Sequence, residues 1–262
     1  MTKQIQTHPT NFVVEKPFGP FLASCMLPED AVSAMLKMSD EILSNKLSES
    51  HGQSLAGVIN KEMKVYKSDM KNAGVNQLLE SCVRSYVIQS AKNHGMFKET
   101  YTFESMINAA WIVSQYENEY NPIHNHSGCD ISAVIYLKCP DVKSRRNLEA
   151  KKGKIDFDGD IHFVHSAMGS RNYDVFERGM LNIVPTPGLL LMFPSYLTHT
   201  VYPFVGEGER RSLPFNAVYR ITDENRFIAG DVSNVVHTTF YTKEKPNECS
   251  LMSEKNNILQ EK

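Results

Sequence analysis

The sequence predicts a mainly β protein, an antiparallel sandwich or barrel buttressed by helices, and three observations carry that prediction. From His94-Gly95 onward, short β-branched or aromatic runs alternate with Gly, Pro, Asn and Asp punctuation. Before that point, two segments repeat apolar residues at helical spacing. The chain has 262 residues, a length that all-β domains reach without dividing, so one domain accounts for it.

Residues 1–10 are polar, and Phe12–Val14 can begin a short strand ahead of the turn-rich KPFGP. Pro28, Glu29 and Asp30 suit a helix start, and Val32, Met35, Leu36, Ile42 and Leu43 then fall on one stripe. Val75, Leu78, Leu79, Cys82, Val83 and Tyr86 form the stripe of a second helix, which reads as packing. Strands follow at 105–116, 130–137, 153–159, 188–194 and 212–220. The charged, Gly-spotted stretch from Pro140 to Arg178 reads as a long loop around a hairpin. Within it, Asp156, Asp158, Asp160, His162 and His165 alternate with apolar residues and are expected on a solvated hairpin. The domain therefore spans 1–242, with a helical buttress at about 28–94, a β core at about 100–225 and a flexible tail at 243–262.

Composition excludes several classes. A formal net charge of −2 advertises no nucleic-acid surface. Five scattered cysteines, an odd number, argue against a disulfide framework and for a reducing compartment. Cys129 and Cys139 are poorly spaced for zinc. The N-terminal residues lack a signal-peptide core, and no apolar run reaches the ~20 residues of a membrane span. A cytoplasmic protein with no membrane partner is expected, and its oligomeric state stays open.

The chemistry gathers around NPIHNHSGCDISAVIYL, residues 121–137. In an extended chain His124 and His126 project to one face, and Ser132, Val134 and Tyr136 share a face of the strand that follows. Downstream, Gly188 opens an apolar strand that Pro194 ends, and His199 follows in a short turn. Arg210, Ser212, Pro214 and Asn216 then share one face of the next strand. Arg211 has the parity of Leu213 and Phe215 and is expected to extend outward past them. Three inward ligands on neighbouring strands suit a metal with positions open to substrate, as in non-haem Fe(II) sites. Trp111 precedes the first histidine by one strand, where it packs in the core or walls the pocket.

Taken together, His124-Asn125-His126, the strand Ser132 to Leu137, Phe193-Pro194 with His199, and Arg210 to Asn216 resemble the Fe(II)/2-oxoglutarate-dependent oxygenases. More narrowly, they are similar to a group of small oxygenases of bacteria and marine phages, over about residues 105–220. The resemblance implies a double-stranded β-helix (jelly-roll, cupin-like) core and a cytoplasmic enzyme, in the host cytoplasm if phage-encoded. It implies Fe(II) held by His124 and His199, and 2-oxoglutarate as cosubstrate with O2, ascorbate serving full activity. Arg210 would grip the far carboxylate of 2-oxoglutarate, helped by the hydroxyls of Ser212 and Tyr136. The implied reaction hydroxylates an amino acid, a peptidyl (prolyl-type) group or a small molecule, releasing succinate and CO2.

One position departs from the pattern. Most such enzymes carry a carboxylate two residues after the first histidine, where this chain has His126. His126 itself, Asp130 or water can complete the site, and alternation favours His126. Two rival readings share the fold. A metal-dependent cupin would use His124, His126, Asp130 and His199. A non-catalytic jelly-roll binding module would need none of them, and would leave buried His and Arg groups without a purpose.

Overall fold

The computed structural model describes residues 8–15, 19–52, 56–140, 157–165 and 179–230. Two strands, β1 (Thr10–Glu15) and β2 (Leu22–Met26), open the chain, and α1 (Glu29–Ser44) follows. Next come β3 (Lys61–Lys64), α2 (Lys67–Asn72) and α3 (Asn76–Asn93). The later elements among the described residues are strands: β4 (Tyr101–Gln115), β5 (Asn121–His124), β6 (Ile131–Lys138), β7 (Ile161–Val164), β8 (Met180–Ile183), β9 (Leu189–Pro194), β10 (Thr198–Val201), β11 (Arg210–Asp223) and β12 (Arg226–Gly230).

The strands form two antiparallel sheets. The larger has the order β1-β2-β9-β6-β11-β4-β3 with β12 added to β11, and the smaller runs β5-β10-β7-β8. Alternation along the larger sheet explains both of its faces. Ile131, Ala133 and Ile135 of β6, and Leu213, Phe215 and Ala217 of β11, join Leu78, Leu79, Cys82 and Val83 of α3 in one core. Each large apolar side chain buried there contributes about 1.5–3 kcal/mol. The alternate residues Val134 and Tyr136 meet Ile161 and Phe163 of β7, Leu191 and Phe193 of β9, and Val201 of β10 in a second core. The sheets thus pack face to face as a double-stranded β-helix, with the helices covering the outer face of the larger sheet. Gly188 makes the turn into β9 with φ near +88°, and a Cβ there would meet the Met26 side chain at 3.2 Å.

Several sequence expectations change. His199 lies within β10 rather than in a turn. The strand expected at 153–159 falls partly outside the described residues, and Phe157–Gly159 form a turn ahead of β7. Asp160 and His162 are not on a solvated surface: they are 0% and 1% exposed. The rings of Phe157 and Tyr202 lie 4.4 and 4.5 Å from the His162 ring and cover that face of the smaller sheet. His165 is exposed and Asp158 half-buried, whereas Asp156 and the tail at 243–262 lie outside the described residues. Arg211 does leave the inter-sheet space, yet it is only 6% exposed, because α1 lies over that face.

Candidate metal centre

Antiparallel pairing of β5 with β10 sets His124 directly opposite His199. Their ring centroids are 4.2 Å apart. His126 stands two residues past the end of β5, in a loop pinned where its backbone N–H donates to the Ser195 carbonyl at 2.9 Å. Its ring lies parallel to His199 at 5.2 Å, with the two Nε2 atoms 3.3 Å apart. One nitrogen from each of the three rings falls within 4.8 Å of the others. Ligands held at ~2.0–2.1 Å from one ion come that close to one another.

The carbonyl groups around the rings decide which nitrogen faces inward. The Nδ1 of His124 lies 2.7 Å from the Pro122 carbonyl, and the Nδ1 of His199 lies 2.9 Å from that of Leu197. Nδ1–H donates to each carbonyl, so both rings turn a bare Nε2 to the centre. Asn216, itself an acceptor from the Ser132 hydroxyl at 3.2 Å, hydrogen-bonds to His126. Burial pushes the His126 imidazole down to about 4, with the nearby His124 adding to the effect. Burial also holds His199 well below its usual value, followed by His124 and His126, and it lowers His124 against the pull of Pro122. At neutral pH all three are neutral imidazoles, the form that binds a metal.

A second polar group lines the same cavity. Arg210 is 2% exposed, and its Nη1–H donates to Gln115 Oε1 at 3.1 Å. Its guanidinium lies 5.0 Å from the centroid of the Tyr136 ring, and among the described residues its Nε and Nη2 have no acceptor. The Tyr136 hydroxyl is fully buried, which pushes its pKa up to about 12 against the pull of the neighbouring Arg210 guanidinium. Ser212 pairs across strands with Tyr136 and lines the cavity with Arg210 and the three histidines. A buried guanidinium with two idle donors is costly unless an anion meets it. The cavity therefore offers three imidazoles at one place and a carboxylate clamp at another, which fits an imidazole-bound metal together with a dicarboxylate.

Not every sequence candidate joins the group. Asp130 Oδ2 accepts the Tyr219 backbone N–H at 3.1 Å, and Asp130 is not among the clustered ligands. Trp111 packs with Ala109 and Val113 and also lines the cavity, its ring 6.0 Å from His126. Gln115, which holds Arg210, was not anticipated, although it shares strand parity with Trp111 and Val113.

Comparison with known proteins bears on this geometry. Residues 109–216 match the model of a family described as "Putative 2OG-Fe(II) oxygenase", so the resemblance spans the strands that carry the cavity. No curated protein sequence matches the chain. A crystal structure of a non-heme alpha ketoglutarate dependent carbocyclase from nogalamycin biosynthesis superposes with a TM-score of 0.50 at 11% identity, covering 88% of this chain and 90% of that one. A Trichoplax adhaerens prolyl hydroxylase bound to a hypoxia inducible factor peptide gives 0.47 at 14% identity, over 79% and 82% of the two chains. A Pseudomonas putida prolyl-4-hydroxylase gives 0.42 at 17%, over 74% and 91%. At such identities the carbocyclase match shows a shared fold and nothing of substrate.

Proposed function

We propose that this chain is an Fe(II)- and 2-oxoglutarate-dependent dioxygenase, a hydroxylase of an amino-acid, peptidyl (prolyl-type) or small-molecule substrate. The observation that carries the reading is the coexistence, in one cavity, of the three-histidine cluster and a buried Arg210 with two donors idle. In this reading His124, His126 and His199 hold the iron, and Arg210, Tyr136 and Ser212 receive the far carboxylate of 2-oxoglutarate. The bound pair supplies O2 activation, consuming the oxo acid to succinate and CO2. The chain's own part is to orient the ligands and keep the site dry. Pro122 and Leu197 fix two imidazole tautomers, Gln115 aims the guanidinium, and Trp111, Val134 and Phe193 line the cavity with apolar surface. The cupin arrangement would need Asp130 at the metal, and that carboxylate is engaged with Tyr219.

The test is a 2-oxoglutarate titration of the anaerobic Fe(II)-loaded protein, following the metal-to-ligand absorbance. A saturable band that requires both components is expected. Absence of 2-oxoglutarate binding by an iron-loaded wild type would refute the enzyme class. Substrate class follows from succinate release across amino acids, peptides and small metabolites, assayed with Fe(II), 2-oxoglutarate and ascorbate.

A further inference from the structure

The arginine end of the cavity is organised by one short turn. β4 ends at Gln115, β5 begins at Asn121, and residues 116–120 join them. Asn118 is left-handed there, with φ near +64°, a conformation asparagine tolerates better than most residues. Two passing segments are fastened to this turn. The Asn118 N–H donates to the Phe204 carbonyl at 3.0 Å, and the Gly206 N–H donates to Glu117 Oε1 at 2.8 Å, which holds the loop entering β11. The Val58 N–H donates to the Tyr120 carbonyl at 2.9 Å, bringing in the segment ahead of β3. The buried Glu119 carboxylate completes the knot. Its Oε1 accepts the Asn60 backbone N–H at 3.1 Å and the Asn60 Nδ2–H at 2.6 Å, and its Oε2 accepts the Tyr116 N–H at 2.8 Å.

What the turn holds is Gln115, itself fully buried. Its Nε2–H donates to the Glu119 carbonyl at 2.5 Å, and its Oε1 accepts the Arg210 Nη1–H at 3.1 Å. A side-chain amide has one donor end and one acceptor end, so the first bond decides the second. The nitrogen is committed to the turn, and only the oxygen can face the guanidinium. That oxygen is uncharged and takes Nη1 alone. Nε–H and one Nη2–H lie side by side on another edge of the planar guanidinium, a fork that matches two carboxylate oxygens. Among the described residues those are the two nitrogens without an acceptor.

From this arrangement we infer that Gln115, locked by the Glu119 turn, is a positioning residue that sets anion specificity. It occupies Nη1 without cancelling the charge of Arg210, and so reserves the Nε/Nη2 edge for the carboxylate of a ligand. The neutrality of the side chain is what matters. A glutamate at 115 has nearly the same shape, but it would neutralise the guanidinium from within the fold, and the cavity would no longer select an anion. A leucine would leave Nη1 without an acceptor and the guanidinium free to turn its fork away. Glu119 acts one step further back, by holding in place the carbonyl that holds Gln115. Naming the ligand carboxylate as the far end of 2-oxoglutarate rests on the oxygenase reading; the assignment of the edge does not.

The test compares 2-oxoglutarate with 2-oxopentanoate, which has a methyl group in place of the far carboxylate, titrated into anaerobic Fe(II)-loaded protein by metal-to-ligand absorbance. The oxo-acid end is common to both, so the ratio of the two affinities reads the arginine edge and is insensitive to general loosening of the metal site. Wild type is expected to favour 2-oxoglutarate by about a hundredfold or more. Gln115→Glu should cut that preference to below about fivefold by weakening 2-oxoglutarate alone, with 2-oxopentanoate unchanged. Gln115→Leu should reduce the preference about tenfold, and Glu119→Ala severalfold. Full preference in Gln115→Glu overturns the proposal, and so do equal losses for both oxo acids, which would mark a structural role only. If Gln115→Glu does not fold, Gln115→Leu decides by the same ratio. Should the wild type bind neither oxo acid, the enzyme class fails and calorimetry with glutarate on metal-free protein takes over. Saturable glutarate binding that Gln115→Glu abolishes keeps this inference; binding by neither protein, or equally by both, removes it.

Discussion

Arg210 and Arg211 are neighbours in sequence and lie on opposite faces of β11 with opposite hydrogen-bond inventories. Arg211 donates to Ser39 Oγ at 2.8 Å, to Asp40 Oδ1 at 2.5 Å, and to both Glu209 oxygens at 2.7 and 2.8 Å. Burial works against the Glu209 charge, yet the hydrogen bonds from Arg211 and Ser114 outweigh it and hold that carboxyl below its usual range. Among the described residues Arg210 faces no carboxylate: its Nη1–H donates to Gln115 and its guanidinium lies beside the Tyr136 ring. One cation is complete within the fold, and the other is poised for an anion.

The two arginines should therefore fail differently. Arg210→Ala is expected to fold normally and hold iron, while losing 2-oxoglutarate affinity by about a hundredfold, or roughly 2–5 kcal/mol. Arg211→Ala should keep that affinity per folded molecule and lose about 1–3 kcal/mol of stability, because the half-buried Glu209 keeps only Ser114 and the longer Lys138 contact, and Asp40 and Ser39 lose their donor. Urea unfolding and cosubstrate titration on both variants separate the effects. Loss of 2-oxoglutarate binding in Arg211→Ala alone would reverse the assignment.

At position 126, His126→Ala should lower iron content severalfold, and Asp130→Ala should leave iron content unchanged. His126→Asp is expected to retain metal, since a carboxylate is an equally suitable oxygen donor for Fe(II). Metal analysis of anaerobically prepared protein reads all three. Iron loss in Asp130→Ala with retention in His126→Ala would transfer the ligand role.

Glu62 makes stability depend on pH. It is 2% exposed, its Oε1 has no partner among the described residues, and burial, then Glu119, pushes its carboxyl up to about 7. The folded state thus holds a proton that the unfolded chain releases near pH 4.5, so this group favours folding less as pH rises from about 4.5 to 7. The cost, on the order of 2–3 kcal/mol, is complete above that window. Glu62→Gln should recover much of it at pH 8 and flatten the profile. Parallel pH profiles for the two proteins would count against this account.

His162 is buried, and among the described residues neither of its ring nitrogens has a hydrogen-bond partner. Two polar atoms stripped of water and left unpaired cost about 1–3 kcal/mol each. His162→Leu, of similar bulk, is expected to raise stability by about 1 kcal/mol after the loss of ring contacts with Phe157 and Tyr202. A loss of more than that on thermal unfolding would show that the imidazole contributes a contact of its own.

Strand parity made much of the candidate site legible. His124, Arg210 and Ser212 line one cavity because their spacing on strands sends them to one face, and Tyr136 stands opposite Ser212 with its ring beside the Arg210 guanidinium. Parity does not say what covers a face, and there the sequence was silent. Nothing local announced that Phe157 and Tyr202 would enclose His162, or that α1 would bring Ser39 and Asp40 to Arg211. β3, with the sequence KEMK, and the six-residue α2 escaped notice because each is too short and too charged to show a period. Asp130 looked like a ligand by spacing alone; its direction was set by a distant strand, through the Tyr219 N–H.

The smaller sheet is where fraying would begin. β5 is four residues long, sits at that sheet's edge and pairs with β10 alone, so its amides should exchange with solvent sooner than those of β6 or β11. His124 closes that short ladder opposite His199. An ion gripping both imidazoles would rivet the edge strand to its neighbour, and opening β5 would then require giving up the metal. Loading would slow proton exchange along β5 and β10 while barely touching the helices, a local signature readable by mass spectrometry even with no turnover.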